Sequence, residues 1–304
     1  MLHALQVILD ATALGSLYAL VALAIGLVFG VMRLINFAQG DYITLGAYSL
    51  VVPSASIAPA LLFGALSVPL MVICVLMVCV ILALATERVA FRPLRNSSPA
   101  TLLVASFAVS YFIQHVTMLI HTGRPKSVGI GSELANAVEI AGLRMPGVQV
   151  LTMAVTFTLL VALVLFLKKT PLGTQMRAAA ENFEMARLLG IRADRVIALA
   201  FVVSGGLAAA VSLLLVVQTG TLDLRMGLMP VVIAFFATVI GGIGSLPGAA
   251  LGGFLVGFVS VLLQSYLPAE VRPFRDACVF ALVILTLLVR PQGLIVTSAA
   301  KERV

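Results

Sequence analysis

Charge is the scarcest feature of this chain. Of its 304 residues, 10% are charged and 62% are hydrophobic, whereas a soluble domain is roughly 25% charged. The mean hydropathy is +1.17. These figures exclude a soluble globular protein, and no hydrophilic stretch is long enough for a separate soluble domain. Tryptophan is absent, so interfacial indoles give no check on span boundaries. The three cysteines, Cys74, Cys79 and Cys278, all lie in apolar segments, which speaks against a disulfide framework or metal site and for small core packing. The histidines His3, His115 and His121 form no metal-ligand pattern, and His115 beside Gln114 reads as a packed or interfacial side chain. No G-x-x-x-x-G-K-[ST] phosphate loop is present, so the chain does not hydrolyse ATP by that machinery. No catalytic set is visible, and the reading is of a non-enzyme without a cofactor of its own. Within the apolar segments only Asp10 and Asp41 carry charge, both towards segment ends. That counts against an ion-coupled secondary transporter, which needs ionisable or coordinating groups inside its spans.

What is present is a succession of apolar runs. Ala4 to Gly30 is broken only by Asp10 and is long enough to span with tilt. The N-terminus, MLHALQVILDATALG, has no basic region before its apolar run and no clear cleavage site, so it reads as the first span. Tyr42 to Ala85 is uncharged and enough for two crossings, with Pro53, Ser54, Ser56 and Pro59 marking the turn. The first of these crossings, Tyr42 to Val52, is short, since a bilayer core takes about 20 residues of helix. Either Asn36–Asp41 is drawn into the membrane edge or the segment does not span fully. Glu87 to Asn96 reads as a basic loop, Ala100 to Ile120 as a span, His121 to Gly147 as a loop, and Val148 to Leu167 and Val196 to Val217 as spans. Met226 to Leu267 is a second long uncharged stretch, interrupted by GGIGSLPG (Gly241–Gly248), and Ala277 to Val289 is a last, short run. The expected fold is all-α: a polytopic helical membrane bundle of eight full spans, or nine if the segment after Asp41 crosses, in one transmembrane domain over residues 1–304.

The net charge of +7 gathers in short loops, which is an orientation signal rather than a nucleic-acid surface. With Arg33, the Glu87–Asn96 loop, the Lys168–Arg195 segment and the C-terminal tail on one side, that side carries 13 Lys or Arg and the other six. The excess puts the Lys168–Arg195 segment in the cytoplasm and the N-terminus outward.

That segment, KKTPLGTQMRAAAENFEMARLLGIRADR, is the longest polar insertion in the chain. Met176, Ala179, Ala180, Phe183 and Ala186 follow helical spacing on one face, with Arg177, Glu181 and Glu184 opposite. Asn182 suits an N-cap for a second short helix, and Gly190 can close that helix in a left-handed conformation. Two short amphipathic helices bent at Asn182 are expected on the membrane surface. A solvated connector is one reading; a docking site for a soluble partner is the other, because a mere connector needs no small, regular apolar face. In that second reading Ala179, Ala180, Phe183 and Ala186 insert into the partner's groove, with Glu184 and Arg187 at the rim.

Two glycine-rich interruptions remain, INFAQGD (Ile35–Asp41) and GGIGSLPG. Paired breaks in apolar segments often mark a substrate path, because non-helical backbone is tolerated in a membrane only where protein or a water-filled cavity satisfies it. On this reading Asn36, Gln39, Gly40, Asp41, Gly241, Gly242 and Gly244 border the path. Gly248, Gly252, Gly253 and Gly257 suit close helix packing instead.

Five stretches carry a resemblance: Gly15–Tyr48, ERVAFRPLR (Glu87–Arg95), Arg177–Val202, GGIGSLPGAALGG (Gly241–Gly253) and RPQGL (Arg290–Leu294). In order and together they resemble the LivH-type permease subunits of bacterial ABC importers for branched-chain amino acids. The outer loop His121–Gly147 has no match. By this resemblance residues 168–195 are the segment that couples to ATPases. Glu184-Met185-Ala186-x-x-x-Gly190 is similar to the E-A-A-x-x-x-G motif of importer permeases, with Met185 in place of an alanine and without the Ile-x-Leu-Pro tail. The coupling residues so implied are Arg177, Ala179, Ala180, Glu181, Phe183, Glu184, Ala186, Arg187 and Gly190. Many members have a histidine where Gln39 stands.

The resemblance also implies partners: a second permease subunit of LivM type, two ABC ATPase subunits that bind the ATP, and a periplasmic or lipid-anchored substrate-binding protein, all at the bacterial inner membrane and its lipid. Branched-chain or related amino acids are the expected cargo. Urea or short amides stay open, as do an ion-coupled secondary transporter and a scaffold subunit that does not line the path.

Overall fold

The computed structural model describes residues 2–295 apart from 33–34, 96, 132–136, 141–142, 182, 243 and 291–292. The helices, in chain order, are α1 (Leu2–Met32), α2 (Gln39–Tyr48), α3 (Val68–Thr86), α4 (Pro99–His121), α5 (Gly147–Lys169), α6 (Pro171–Glu181), α7 (Phe183–Leu188), α8 (Ala193–Thr219), α9 (Leu228–Gly241), α10 (Leu246–Tyr266) and α11 (Arg275–Val289). Four short strands join them: β1 (Lys126–Ser127), β2 (Ala137–Ile140), β3 (Leu143–Pro146) and β4 (Thr221–Leu222). β1 pairs with β4, and β2 with β3, both antiparallel.

Among the described residues six helices are long and apolar enough to cross a membrane: α1, α3, α4, α5, α8 and α10. The all-α membrane bundle is as expected, and the remaining expected spans are short helices. α9 has 14 residues and α11 has 15, so at about 1.5 Å per residue each falls short of a hydrocarbon core of about 30 Å. α2 is shorter still, as the brief Tyr42–Val52 run implies. The expected loop at Glu87 is corrected. The chain continues from α3 as a π-helical turn, Glu87–Phe91, closed by Arg92 N–H donating to the Glu87 carbonyl at 2.7 Å. This wider turn buries both Glu87 and Phe91, and Phe91 meets Phe201 of α8 with ring centroids 5.5 Å apart. π turns of this kind are single insertions that re-aim side chains.

Two parts of the chain are built alike. After α1 the backbone turns back and α2 starts inside the bundle; after α8 it turns back through β4 and α9 starts inside the bundle. α1 packs on α10 as α8 packs on α3, α1 touches α9 as α8 touches α2, and α2 and α9 meet. Connectivity sends α1 and α8 across in opposite directions. The halves α1–α4 and α8–α11 therefore form an inverted pair, an arrangement common in transporters, with α5, α6 and α7 in the link between them. α1 and α8 are the most deeply buried spans, while α3, α4 and α5 leave most of their residues outward.

The central seams are backbone against backbone. A Cβ on Gly253 would meet the Tyr18 carbonyl at 2.6 Å, and one on Gly257 would meet the Gly15 Cα at 2.7 Å. Gly248 and Gly252 lie in the same way against Gly241 and Ala237 of α9. Packing is thus the role of all four, since small residues let helices approach where lipid gives no hydrophobic drive. Cys79 joins this core and its Sγ donates to the Tyr42 carbonyl at 3.3 Å. The end of the bundle with α6, α7 and the loop after Phe91 is called the basic face below. At the opposite face Lys126 is buried, donating through Nζ to the carbonyls of Ser54 and Ser56.

Candidate functional site

The start of α2 is fixed by its own short polar run. Asn36 Oδ1 accepts from Ala38 N–H at 3.1 Å, a side chain standing in for a backbone turn. Its Nδ2 donates to the Tyr42 hydroxyl at 3.3 Å. Gln39 reaches across to α8, where Nε2 donates to the Ser204 carbonyl at 3.0 Å and Oε1 lies 2.8 Å from Ser204 Oγ. Ser204 Oγ is also 3.1 Å from the Ala24 carbonyl, so its one proton is shared between α1 and α2. Asp41 is 4% exposed; Ser110 and Gln114 of α4 lie beside it, and its Oδ2 has no hydrogen-bond partner. It stands in the first turn of α2, where the helix dipole favours an acid.

α9 begins against this cluster. Thr44 Oγ1 donates to the Gly40 carbonyl at 3.0 Å and accepts from Gly227 N–H at 3.2 Å. Gly40 and Gly227 are in reciprocal contact: a Cβ on either would run into the other's carbonyl. The start of α2, the start of α9 and the middle of α8 are therefore one buried junction between the two halves. Asn36, Gln39, Gly40 and Asp41, which the sequence reading set beside a path, lie in this junction, and all four are buried in packed protein. That reading misses Thr44, Ser204 and Gly227. The signal for Ser204 is the Ser-Gly-Gly run in an apolar span, and for Gly227 its place three residues before Pro230.

Gln39 and Ser204 form a measurable pair. Alanine at either leaves the other's polar group buried without its partner, at a cost of about 1–3 kcal/mol. The double variant is expected to lose less than the sum of the singles, by about 1 kcal/mol. Denaturation of the purified variants checks this; strict additivity would mean that the pair is not coupled.

Gly241, Gly242 and Gly244 belong elsewhere, at the far end of α9, about 21 Å along the helix. Gly241 lies against the Gly248 carbonyl and Gly242, at φ +111°, against Ile295. Leu294 N–H donates to the Ile240 carbonyl at 2.8 Å and Ile295 N–H to that of Gly241 at 3.0 Å. The stretch after α11 thus seals the turn, and the two sequence motifs GGIGSLPG and RPQGL meet, with Gly293 packed against Gly242. Gly244 is exposed, with φ +88°, where a side chain is strained. Ser245 Oγ then accepts from Gly248 N–H at 3.1 Å and caps α10.

On the basic face, α6 and α7 are the two short helices expected there. Thr170 Oγ1 accepts from Gly173 N–H at 3.0 Å, with Pro171 opening α6. Gly190, at φ +83°, closes α7, with Ile191 N–H donating to the Ala186 carbonyl at 3.1 Å. The exposed face is not the expected one. Ala179 and Ala186 are each 3% exposed and Met176 is buried with them, while Ala180 is half-buried. The small stripe seats α6 on the ends of α1, α5 and α8, as the apolar face of a surface helix packs on its own protein. What α7 and the residue after it present outward is Met185, Arg187, Leu188 and Leu189, the two leucines 81% and 82% exposed. Arg177 is exposed on α6. Asn182 and the side chains of Glu181, Phe183 and Glu184 lie outside the described part.

Ion pairs tie the end of this segment to the loop after α3. Asp194, in the first turn of α8, meets Arg92 at 2.9 Å and also Arg95. Arg95 turns its other nitrogen to the buried Glu87 at 3.4 Å. Exposed pairs are worth little singly, but here one member is buried and four side chains form a single network.

The whole chain has known counterparts. Residues 7–288 match the family model described as branched-chain amino acid transport system / permease component. The permease protein BraD of Pseudomonas aeruginosa is 34% identical over 96% of both chains. LivH of Salmonella typhimurium and LivH of Escherichia coli K12 are each 36% identical, over 97% of this chain and 96% of theirs; all three are named high-affinity branched-chain amino acid transport system permease proteins. A solved structure of an ABC transporter described as metal-chelate type, facing inward, covers 94% of this chain at 14% identity with a TM-score of 0.46. With the match running across both inverted halves and the link between them, the chain belongs to the family of branched-chain amino acid transport permease components.

Proposed function

We propose that this chain is one of two permease subunits in an ATP-driven importer for branched-chain or related amino acids. A LivM-type subunit completes the path, two ABC ATPases bind the ATP, and a periplasmic or lipid-anchored binding protein delivers the substrate. The observation that carries the ATP-driven reading is α7, a short helix at the basic face that ends in two solvent-exposed leucines, Leu188 and Leu189. Such a pair is a natural anchor for a soluble partner, because docking would remove its exposed apolar surface from water. The 13-to-six distribution of Lys and Arg supports a cytoplasmic location for that face. Arg187, Leu188 and Leu189 then meet the ATPase, and Ala179, Ala186 and Gly190 hold the helices that present them. Asn36, Gln39, Gly40 and Asp41 act at the junction that must rearrange when the halves move, beside the translocation route. ATP-driven closure of the ATPase pair biases the spans between two states through differential contacts alone.

Uptake by the reconstituted four-subunit complex tests this. With binding protein outside and ATP inside the vesicles, labelled leucine is expected to accumulate and labelled urea is not. Urea uptake instead of leucine would reassign the cargo. Accumulation driven by an ion gradient, without the ATPases, would overturn the ATP-driven reading.

A further inference from the structure

A groove of about 640 Å³ runs along the outside of the bundle between α1, α5 and α10. Its walls are apolar, and Phe157, Val164 and Leu251 are exposed along it, so it opens to the membrane rather than inward. Of its lining residues only Lys168 and Arg177 are charged. Lys168 ends α5 and Arg177 sits on α6, so both cations stand at the basic mouth of the groove. Both are exposed, and neither has a hydrogen-bond or ion-pair partner among the described residues. Among the described residues no acid lines the groove.

The dimensions fit one leaflet. On α5 the lining extends from Met153 to Lys168, about 22 Å of helix. Half a bilayer with its headgroups is about 20–22 Å deep. Lys168 comes where α5 leaves the apolar layer, which is the depth of a phosphate. We infer that the groove is a binding site for an anionic phospholipid, with its acyl chains along α1, α5 and α10 and its phosphate between Lys168 and Arg177. The charge pattern favours this over a protein helix: a helix would bury the apolar walls but leave both cations unmatched, whereas the headgroup supplies anionic oxygens at the required depth. Basic pockets between spans on the cytoplasmic side bind anionic headgroups by the same physics. The inference holds whichever substrate the chain carries.

The test uses the complete complex, purified in mild detergent from nanodiscs containing phosphatidylglycerol and phosphatidylcholine in equal amounts. Mass spectrometry then counts the lipid retained. Wild type is expected to keep phosphatidylglycerol selectively, and inorganic phosphate is expected not to displace it. Lys168→Gln with Arg177→Gln should weaken that retention roughly thirtyfold, at about a factor of five for each charge near a headgroup. Val164→Trp, which fills the groove and leaves both cations in place, should also reduce it. A melting scan in phosphatidylcholine alone shows whether each variant is folded, and a folded variant of either kind suffices. Equal retention of the two lipids by wild type would overturn the inference. So would unchanged phosphatidylglycerol in the folded variants, displacement by inorganic phosphate, or a Val164→Cys cross-link to the second permease subunit in place of lipid.

Discussion

Valine at position 227 is expected to abolish accumulation of folded permease. Gly227 has φ −84°, an ordinary value, so the demand is for the missing side chain and not for backbone freedom. A Cβ there would strike the Gly40 carbonyl. That carbonyl is backbone and already accepts from Thr44, so it cannot swing aside as a side chain would. Overpacking in a tight core costs about 1–3 kcal/mol, and breaking the Thr44 link adds about 1 kcal/mol. A total of about 2–4 kcal/mol is a large share of a typical net stability of about 5–15 kcal/mol. Gly227→Ala should do the same in smaller measure. Gly206→Ala is the control, since a Cβ there meets nothing nearer than Leu76 at 3.8 Å. Size-exclusion profiles and melting temperatures of the three variants give the answer. A Gly227→Val protein with wild-type yield and melting temperature would mean that α2 and α9 are not locked together.

The second large effect lies at the other end of the molecule. Leu188→Asp with Leu189→Asp is expected to leave the permease folded, because both side chains stand in solvent, and to release the ATPases. Burying a leucine is worth about 1.5–3 kcal/mol; losing two removes about 4 kcal/mol, or close to a thousandfold in affinity. Co-purification of the ATPases and ATP-dependent uptake in proteoliposomes should both fail, while substrate binding to the soluble receptor is unaffected. If the double variant keeps its ATPases and transports at the normal rate, α6 and α7 are a connector.

The two regions were unequally readable from sequence. The short α2 followed from arithmetic: eleven residues between Tyr42 and Val52 cannot cross a membrane. The left-handed Gly190 at the end of α7 followed from capping chemistry, which is local. The side of α6 that faces outward did not. Helical spacing groups Met176, Ala179 and Ala186 correctly, but spacing alone cannot say whether an apolar stripe meets its own chain or another. Likewise GGIGSLPG was legible as a break, whereas its burial under residues 293–295 joins positions some fifty residues apart. Glu87 reads as a loop acid because a π turn has no sequence period of its own, and its burial depends on Arg95, which in turn depends on Asp194. Gly227 was missed because a single glycine at an ordinary φ looks like any other.

The inverted pairing of α1–α4 with α8–α11 leaves the core without a built-in top or bottom. What makes the two membrane faces different lies chiefly in the link: the β2–β3 hairpin before α5, and the α6–α7 pair after it. Directionality is therefore a property of the attachments. The same core, given other appendages on the same two sides, would be equally suited to moving its cargo the opposite way.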